Sequence, residues 1–173
     1  MSPSPRPRAY VALGANLGDR YAQLCRAFAE LERSWPVIAR SPIYETAPAG
    51  LLDQPAFLNA VVSFESAELP EAVLDRLLEI EAQLGRRRAD RNGPRDIDLD
   101  LLVHGAARLL TPGLTLPHPR MTRRRFVLRP LADIAPELTP PGMADTVAAL
   151  LRSAKDGPVL KVWPEPLRAL CGD

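Results

Sequence analysis

A chain of 173 residues, 46% hydrophobic and 25% charged, is the size of one domain and carries enough apolar side chains to bury a core. Its formal net charge of +1 supplies no global field that would draw it to nucleic acid or an anionic membrane. Two cysteines, Cys25 and Cys171, make neither a disulfide framework nor a zinc site, and no apolar run reaches the length of a membrane span. The expectation is a cytoplasmic protein, with Met1 to Arg8 a flexible tail that lacks the apolar stretch of a signal peptide.

Tyr10 to Leu13 reads as a strand ending in a Gly-rich turn, and Asp19 as the N-cap of a helix whose apolar positions are Leu24, Phe28 and Leu31. Pro36 stops that helix. Val37 to Tyr44 is a second strand, interrupted near Pro42 as at an edge or bulge. A long loop over Glu45 to Pro55 precedes a third strand, Phe57 to Phe64. Pro70 opens the second helix, with Leu74, Leu77, Leu78 and Leu84 as its stripe and Gly85 as its stop. Ile97 to Val103 is another strand, and His104-Gly105 a turn. Leu109 and Leu114 to Leu116 suggest short strand pieces, and Phe126 begins a helix that Pro130 should limit. Thr146 to Leu151 is the last helix. The order predicts a ferredoxin-like α+β sandwich with a mostly antiparallel sheet, one domain over 9–160, and a C-terminal tail over 161–173.

The segment Asp96-Ile97-Asp98-Leu99-Asp100-Leu101 carries the most chemistry. Alternation in a strand puts its three carboxylates on one face, with Cα atoms about 6.6–6.8 Å apart. Such carboxylates can converge on a hard cation or a pair of them, although a bare Asp-x-Asp also fits a solvated acidic face. Arg86, Arg87, Arg88, Arg91 and Arg95 lie just upstream. Acidic and basic groups packed so closely suit a metal-bound polyphosphate. Positive charge at a helix C-terminus would account for Arg86 to Arg88 but not for Arg95 beside the aspartates. A second basic cluster, Arg120 and Arg123 to Arg125, follows His118, which Pro117 and Pro119 flank. An isolated histidine is commonly structural; beside arginines it can donate to a phosphate.

Four blocks occur in order: Ala12 to Asp19, Asp53 to Ala60, Gly93 to Asp100, and Leu116 to Met121. They resemble the signature blocks of the 6-hydroxymethyl-7,8-dihydropterin pyrophosphokinases of folate synthesis, over about Tyr10 to Glu137. The resemblance implies transfer of diphosphate from ATP to the pterin alcohol, with AMP leaving. It implies two magnesium ions with ATP, held by Asp98 and Asp100, and catalytic roles for those carboxylates with Arg86 and Arg95. It places Glu81, Arg88, Leu101, Thr115, His118 and Arg124 at the nucleotide. Thr46, Ala47, Ala49, Gly50, Phe57, Asn59 and Phe126 would bind the pterin, the two phenylalanines by stacking and Asn59 by reading the ring.

Taken without the resemblance, Phe57 and Phe126 suit core packing, whereas Asn59 sits in an apolar strand and needs partners if buried. This chain has Asn92 where many family members carry Trp, an arginine loop one residue shorter than in some, Pro119 where some have Tyr, and Asp96 where Thr is frequent. The expected partners are ATP and pterin alone, bound by a monomer, with neither nucleic acid nor membrane. Two other classes fit parts of the pattern. A metal-dependent nuclease would lose nucleic-acid binding steeply with salt, and a non-catalytic module would keep ligand binding in Asp98→Ala and Asp100→Ala.

Overall fold

A computed structural model describes residues 5–47, 55–85, 97–155 and 157–169. The central sheet is built on β1 (Arg8–Ala15), which pairs antiparallel with β5 (Asp98–His104) on one side and with β4 (Phe57–Glu65) on the other. The far side of β4 takes two short strands in line, β2 (Val37–Arg40) and β3 (Tyr44–Thr46), both antiparallel to it. Helix α1 (Arg20–Ser34) connects β1 to β2, and α2 (Pro70–Gln83) connects β4 to β5. This is the expected ferredoxin-like α+β arrangement, with β2 and β3 sharing the place of one edge strand.

Alternation along the strands sorts the core into two layers. Val11, Leu13, Leu58, Ala60, Leu99 and Leu101 face α1 and α2, meeting Leu24, Phe28, Leu31, Val73, Leu77 and Ile80. On this side Trp35 stacks on Phe64 with ring centroids 4.3 Å apart. Tyr10, Val61, Leu102 and Val103 face the opposite way, toward α3 (Arg125–Ile134) and α4 (Val147–Ser153). Asp19 caps α1 as expected, its side chain accepting from the Ala22 amide, a contact worth about 1 kcal/mol in such positions. Gly85, at φ 85°, closes α2 in the left-handed conformation that glycine reaches without strain.

Four expectations are corrected. The second strand is two, because Pro42 has no N–H to give the ladder. Ser41 restores the pairing beside it: its amide donates to the Val61 carbonyl and its hydroxyl oxygen accepts from the Val61 amide, each at 2.9 Å. Pro130 does not limit α3, which runs on to Ile134 while Val127, Leu128 and Leu131 are buried against the sheet. Pro130, sixth of the ten residues, forfeits the one ladder bond its N–H would make to the Phe126 carbonyl, and that packing holds the helix on both sides of it. Leu78, placed in the apolar stripe of α2, is exposed. Finally, 161–173 is not simply a tail. Leu160–Val162 forms β8 on the outer edge of β3, Trp163 donates its amide to Ile43, and Leu167 is buried. A three-residue strand flanked by prolines gives little periodicity, yet it covers an edge that would otherwise stay open.

Candidate active site

The sheet brings the carboxylates and the amide of the expected site onto one face. Gly14 pairs with Asp98 on one side and Asn59 on the other; Ala12 likewise lies between Asp100 and Val61. Neighbouring strands run about 4.8 Å apart, so Asp98 and Asn59 stand roughly 10 Å apart across β1. What separates them is a floor of the two smallest side chains. A Cβ at Gly14 would sit 3.2 Å from Oδ1 of Asn59, so the glycine leaves that amide its room.

On the Asn59 side of this floor the polar groups of β3 and β4 are uncharged and buried. Asn59 and Thr46 are buried, and Nδ2 of Asn59 donates to Oγ1 of Thr46 at 2.8 Å, which fixes the way the amide points. Tyr44, opposite Asn59 on β3, donates its phenol to Asp133 on α3. Arg129 donates to the other Asp133 oxygen at 2.7 Å and to the Tyr44 phenol at 3.3 Å. Burial, and then the bond to Asp133, push the Tyr44 phenol above its ordinary pKa, so it remains a donor at neutral pH. Phe57 is half-buried on the same face of β4, and Phe126 is half-buried in the first turn of α3. Ala47 is exposed just beyond β3.

The Asp98 side is charged. His118 is anchored by its own amide, which donates to the Leu102 carbonyl of β5 at 2.8 Å. Its Nδ1 accepts from the Arg120 amide at 3.2 Å, which leaves Nε2 to carry the proton. Burial, then Arg124 and Arg120, pull the imidazole from 6.5 down to about 4, with Asp98 acting in the opposite sense. His118 is therefore a neutral N–H donor at physiological pH. The Arg124 guanidinium carbon lies 5.5 Å from the Phe126 ring centroid, linking the basic cluster to α3.

Beside these groups, along the outer edge of β5, lies a cleft of about 240 Å³. Leu101, Thr115 and His118, three of the residues expected at a nucleotide, line it together with Asp100 and Leu74 of α2. Its far wall is the turn between β6 (Leu109–Leu110) and β7 (Thr115–Leu116). Glu81, also expected at the nucleotide, is buried beneath this edge, and its Oε1 accepts from the Leu99 amide at 2.7 Å. Leu99 and Leu101 are two apart and turn their main-chain groups the same way, so the bond to Glu81 marks the edge that faces the cleft.

Ala49, Gly50, Arg86, Arg88 and Arg95 lie outside the described residues, as do Asn92 and Asp96. Sequence reasoning assigned no role to Ala12 and Gly14, although two small residues at alternate strand positions are the signal of a low floor. It also passed over Tyr44, Arg129 and Asp133, whose association spans 85 to 89 residues and has no local pattern.

The sequence pattern of the 7,8-dihydro-6-hydroxymethylpterin-pyrophosphokinase (HPPK) family matches residues 10–136. The chain is 46% identical over 133 residues to the 2-amino-4-hydroxy-6-hydroxymethyldihydropteridine pyrophosphokinase of Methylorubrum extorquens, covering 76% of this chain and 84% of that one. The Pseudomonas aeruginosa protein of the same name is 44% identical over 136 residues, covering 78% and 84%. Among solved structures, wild-type Plasmodium falciparum HPPK-DHPS with pteroate superposes with a TM-score of 0.69 at 18% identity, covering 88% of this chain and 43% of that longer one, a likeness of fold. With the family pattern matched over residues 10–136 and two relatives matched over most of their length, the chain belongs to the 7,8-dihydro-6-hydroxymethylpterin-pyrophosphokinase family.

Proposed function

We infer that the chain catalyses attack of the hydroxyl of 6-hydroxymethyl-7,8-dihydropterin on the β-phosphorus of ATP, giving the pterin diphosphate and AMP. The observation that carries this reading is the low floor of Gly14 and Ala12, which joins a buried amide on one side to two carboxylates on the other. A flat heterocycle held by its polar edge at Asn59 and lying over Gly14 would carry a substituent toward Asp98 and Asp100. Attack then gains from proximity, since both reactants are held by one rigid sheet.

Within this reading Thr46 holds Asn59 in the orientation that reads the ring, and Phe57 and Phe126 supply apolar faces for it. The β5-edge cleft takes the nucleotide, with main-chain groups of Leu101 and the side of Thr115 against the base. His118 presents Nε2–H to the phosphates, and Arg124 adds positive charge beside it. Asp98 and Asp100, a pair of hard oxygen donors, would hold the magnesium of MgATP, which neutralises phosphate charge and acidifies the attacking hydroxyl. Arg86, Arg88 and Arg95 are assigned to the triphosphate on the resemblance of their sequence block. The reading includes a monomer working in the cytoplasm; among the described residues, no helix is long and apolar enough to cross a membrane.

Purified protein given ATP, magnesium and 6-hydroxymethyl-7,8-dihydropterin should release AMP only when all three are present. AMP release without the pterin, or none from folded protein that binds MgATP, would sink the assignment.

A further inference from the structure

Arg20, the first residue of α1, sits behind the face just described and touches three separate segments. Its Nη1 donates to the Ala56 carbonyl at 2.7 Å and pairs with Oε2 of Glu45 at 2.8 Å. Its guanidinium carbon lies 5.4 Å from the centroid of the Trp163 ring. Glu45 is the middle residue of β3, between Tyr44 and Thr46, and Ala56 immediately precedes Phe57. One nitrogen therefore joins the end of β3 to the start of β4 at the point where Thr46 pairs with Phe57.

Among the described residues three pairs join β3 to β4, and Thr46 with Phe57, at their end, would be the first of them to fray. That pair governs the site, because Thr46 orients Asn59. Glu45 pairs with Leu58 on the side facing α1 and α2, whereas Thr46, Phe57 and Asn59 belong to the other side. Arg20 thus acts through the sheet without meeting a ligand on the far face. The C-terminal segment backs it up: Trp163 donates its amide to Ile43, and Tyr21, the next residue of α1, donates its phenol to the Pro166 carbonyl at 2.9 Å.

We propose that Arg20 is a positioning residue for the pterin, holding the Thr46–Phe57 pair in register from behind the sheet, with Glu45, Ala56 and Trp163 as its partners. The inference rests on the reading that this face binds the pterin.

Steady-state kinetics of wild type, Arg20→Ala, Arg20→Lys and Glu45→Gln, varying each substrate against saturating levels of the other, test it. Arg20→Ala should raise the KM for pterin about ten-fold and leave the KM for ATP within about two-fold. Arg20→Lys should recover most of the loss, because both bonds leave a single nitrogen that an ammonium can replace. Glu45→Gln, which keeps the bond to Ala56, should raise the pterin KM about three-fold. A rise in both KM values alike would reduce Arg20 to general support of the fold and overturn the proposal, as would no change in either. Should Arg20→Ala fail to fold, the split in Glu45→Gln decides the matter by the same criterion. Pterin binding by the same proteins, read by fluorescence without turnover, separates the two readings. Wild type that binds pterin but forms no AMP refutes the reaction and leaves Arg20 to be judged on binding; wild type that binds no pterin refutes both.

Discussion

Asp98 and Asn59 flank the same glycine, yet the two sides of β1 are built in opposite ways. Around Asn59 the strand groups Asn59, Thr46 and Tyr44 are buried and matched, amide to hydroxyl and phenol to the more exposed Asp133, which also takes the Arg129 guanidinium. Around Asp98 the groups are more open to water and mostly charged, with Arg124 and Arg120 close enough to lower the pKa of the His118 imidazole. A neutral ring with a fixed pattern of donors and acceptors is best recognised by the first kind of surface, where an unmatched group costs about 1–3 kcal/mol. A polyphosphate is best held by the second, where field strength counts for more than the angle of any one bond. Sharing one sheet lets the pattern reader and the charge holder stand a fixed distance apart.

If this division is right, damage to the two sides should differ in kind. The largest effect should come from Asp98→Ala or Asp100→Ala, which should lower kcat by roughly 10²–10³-fold while the melting temperature stays close to wild type. AMP release and a thermal melt on the same samples check both halves. On the neutral side, Asn59→Ala should raise the pterin KM by roughly 10–100-fold with a smaller change in kcat, and the KM for ATP should hold. Gly14→Ala should reproduce a weaker form of that defect, because its Cβ would press on Asn59 Oδ1 at 3.2 Å. Equal loss of affinity for both substrates in these variants would erase the distinction between the sides.

The charged side was the more legible in sequence. Asp98 and Asp100 announce a shared face through strand alternation, and His118 is marked by its flanking prolines and following arginines. Local rules also gave the four core elements of the sandwich, because β1, β4, α1 and α2 follow their own period. The neutral side depends on contacts between distant residues. Nothing near Tyr44 foretells Asp133, and nothing near Arg20 foretells Ala56 or Trp163. Strand β8 was missed for the same reason, since it takes its conformation from the edge of β3 and not from its own three residues. Glu81 was reached through a motif match, and its Oε1 accepts from the Leu99 amide of β5, a contact that no local pattern foretells.

His118 gives the comparison a pH dependence. Its pKa in the folded protein is lowered from 6.5 to about 4, so the unfolded chain binds more protons between those values. Its contribution to stability is therefore complete above pH 6.5 and is lost as pH falls toward 4. His118→Gln, which keeps an N–H donor, should flatten stability over that interval and raise the KM for ATP about three-fold, with the pterin KM unchanged. An NMR titration of the His118 ring should show a midpoint near 4; a midpoint near 6.5 would mean that the basic cluster is more open to water than its geometry indicates.

The smallest effect should be that of Tyr44→Phe. The substitution removes one hydroxyl and leaves the Arg129–Asp133 pair, with its 2.7 Å contact, in place. Asp133 keeps a cation and some access to water, so the loss should be about 1 kcal/mol of stability and no more. Because the raised pKa keeps the phenol protonated, wild type and Tyr44→Phe should differ by a constant amount through neutral pH. The gap should close only above pH 10, as wild type loses the stability that its neutral phenol supplies. The pterin KM is the sharper readout. Tyr44 is one strand position from Glu45 and directly opposite Asn59. A rise of about two-fold would mean that α3 helps to set the amide through Tyr44; no rise would leave that task to Thr46 and the Arg20 clamp.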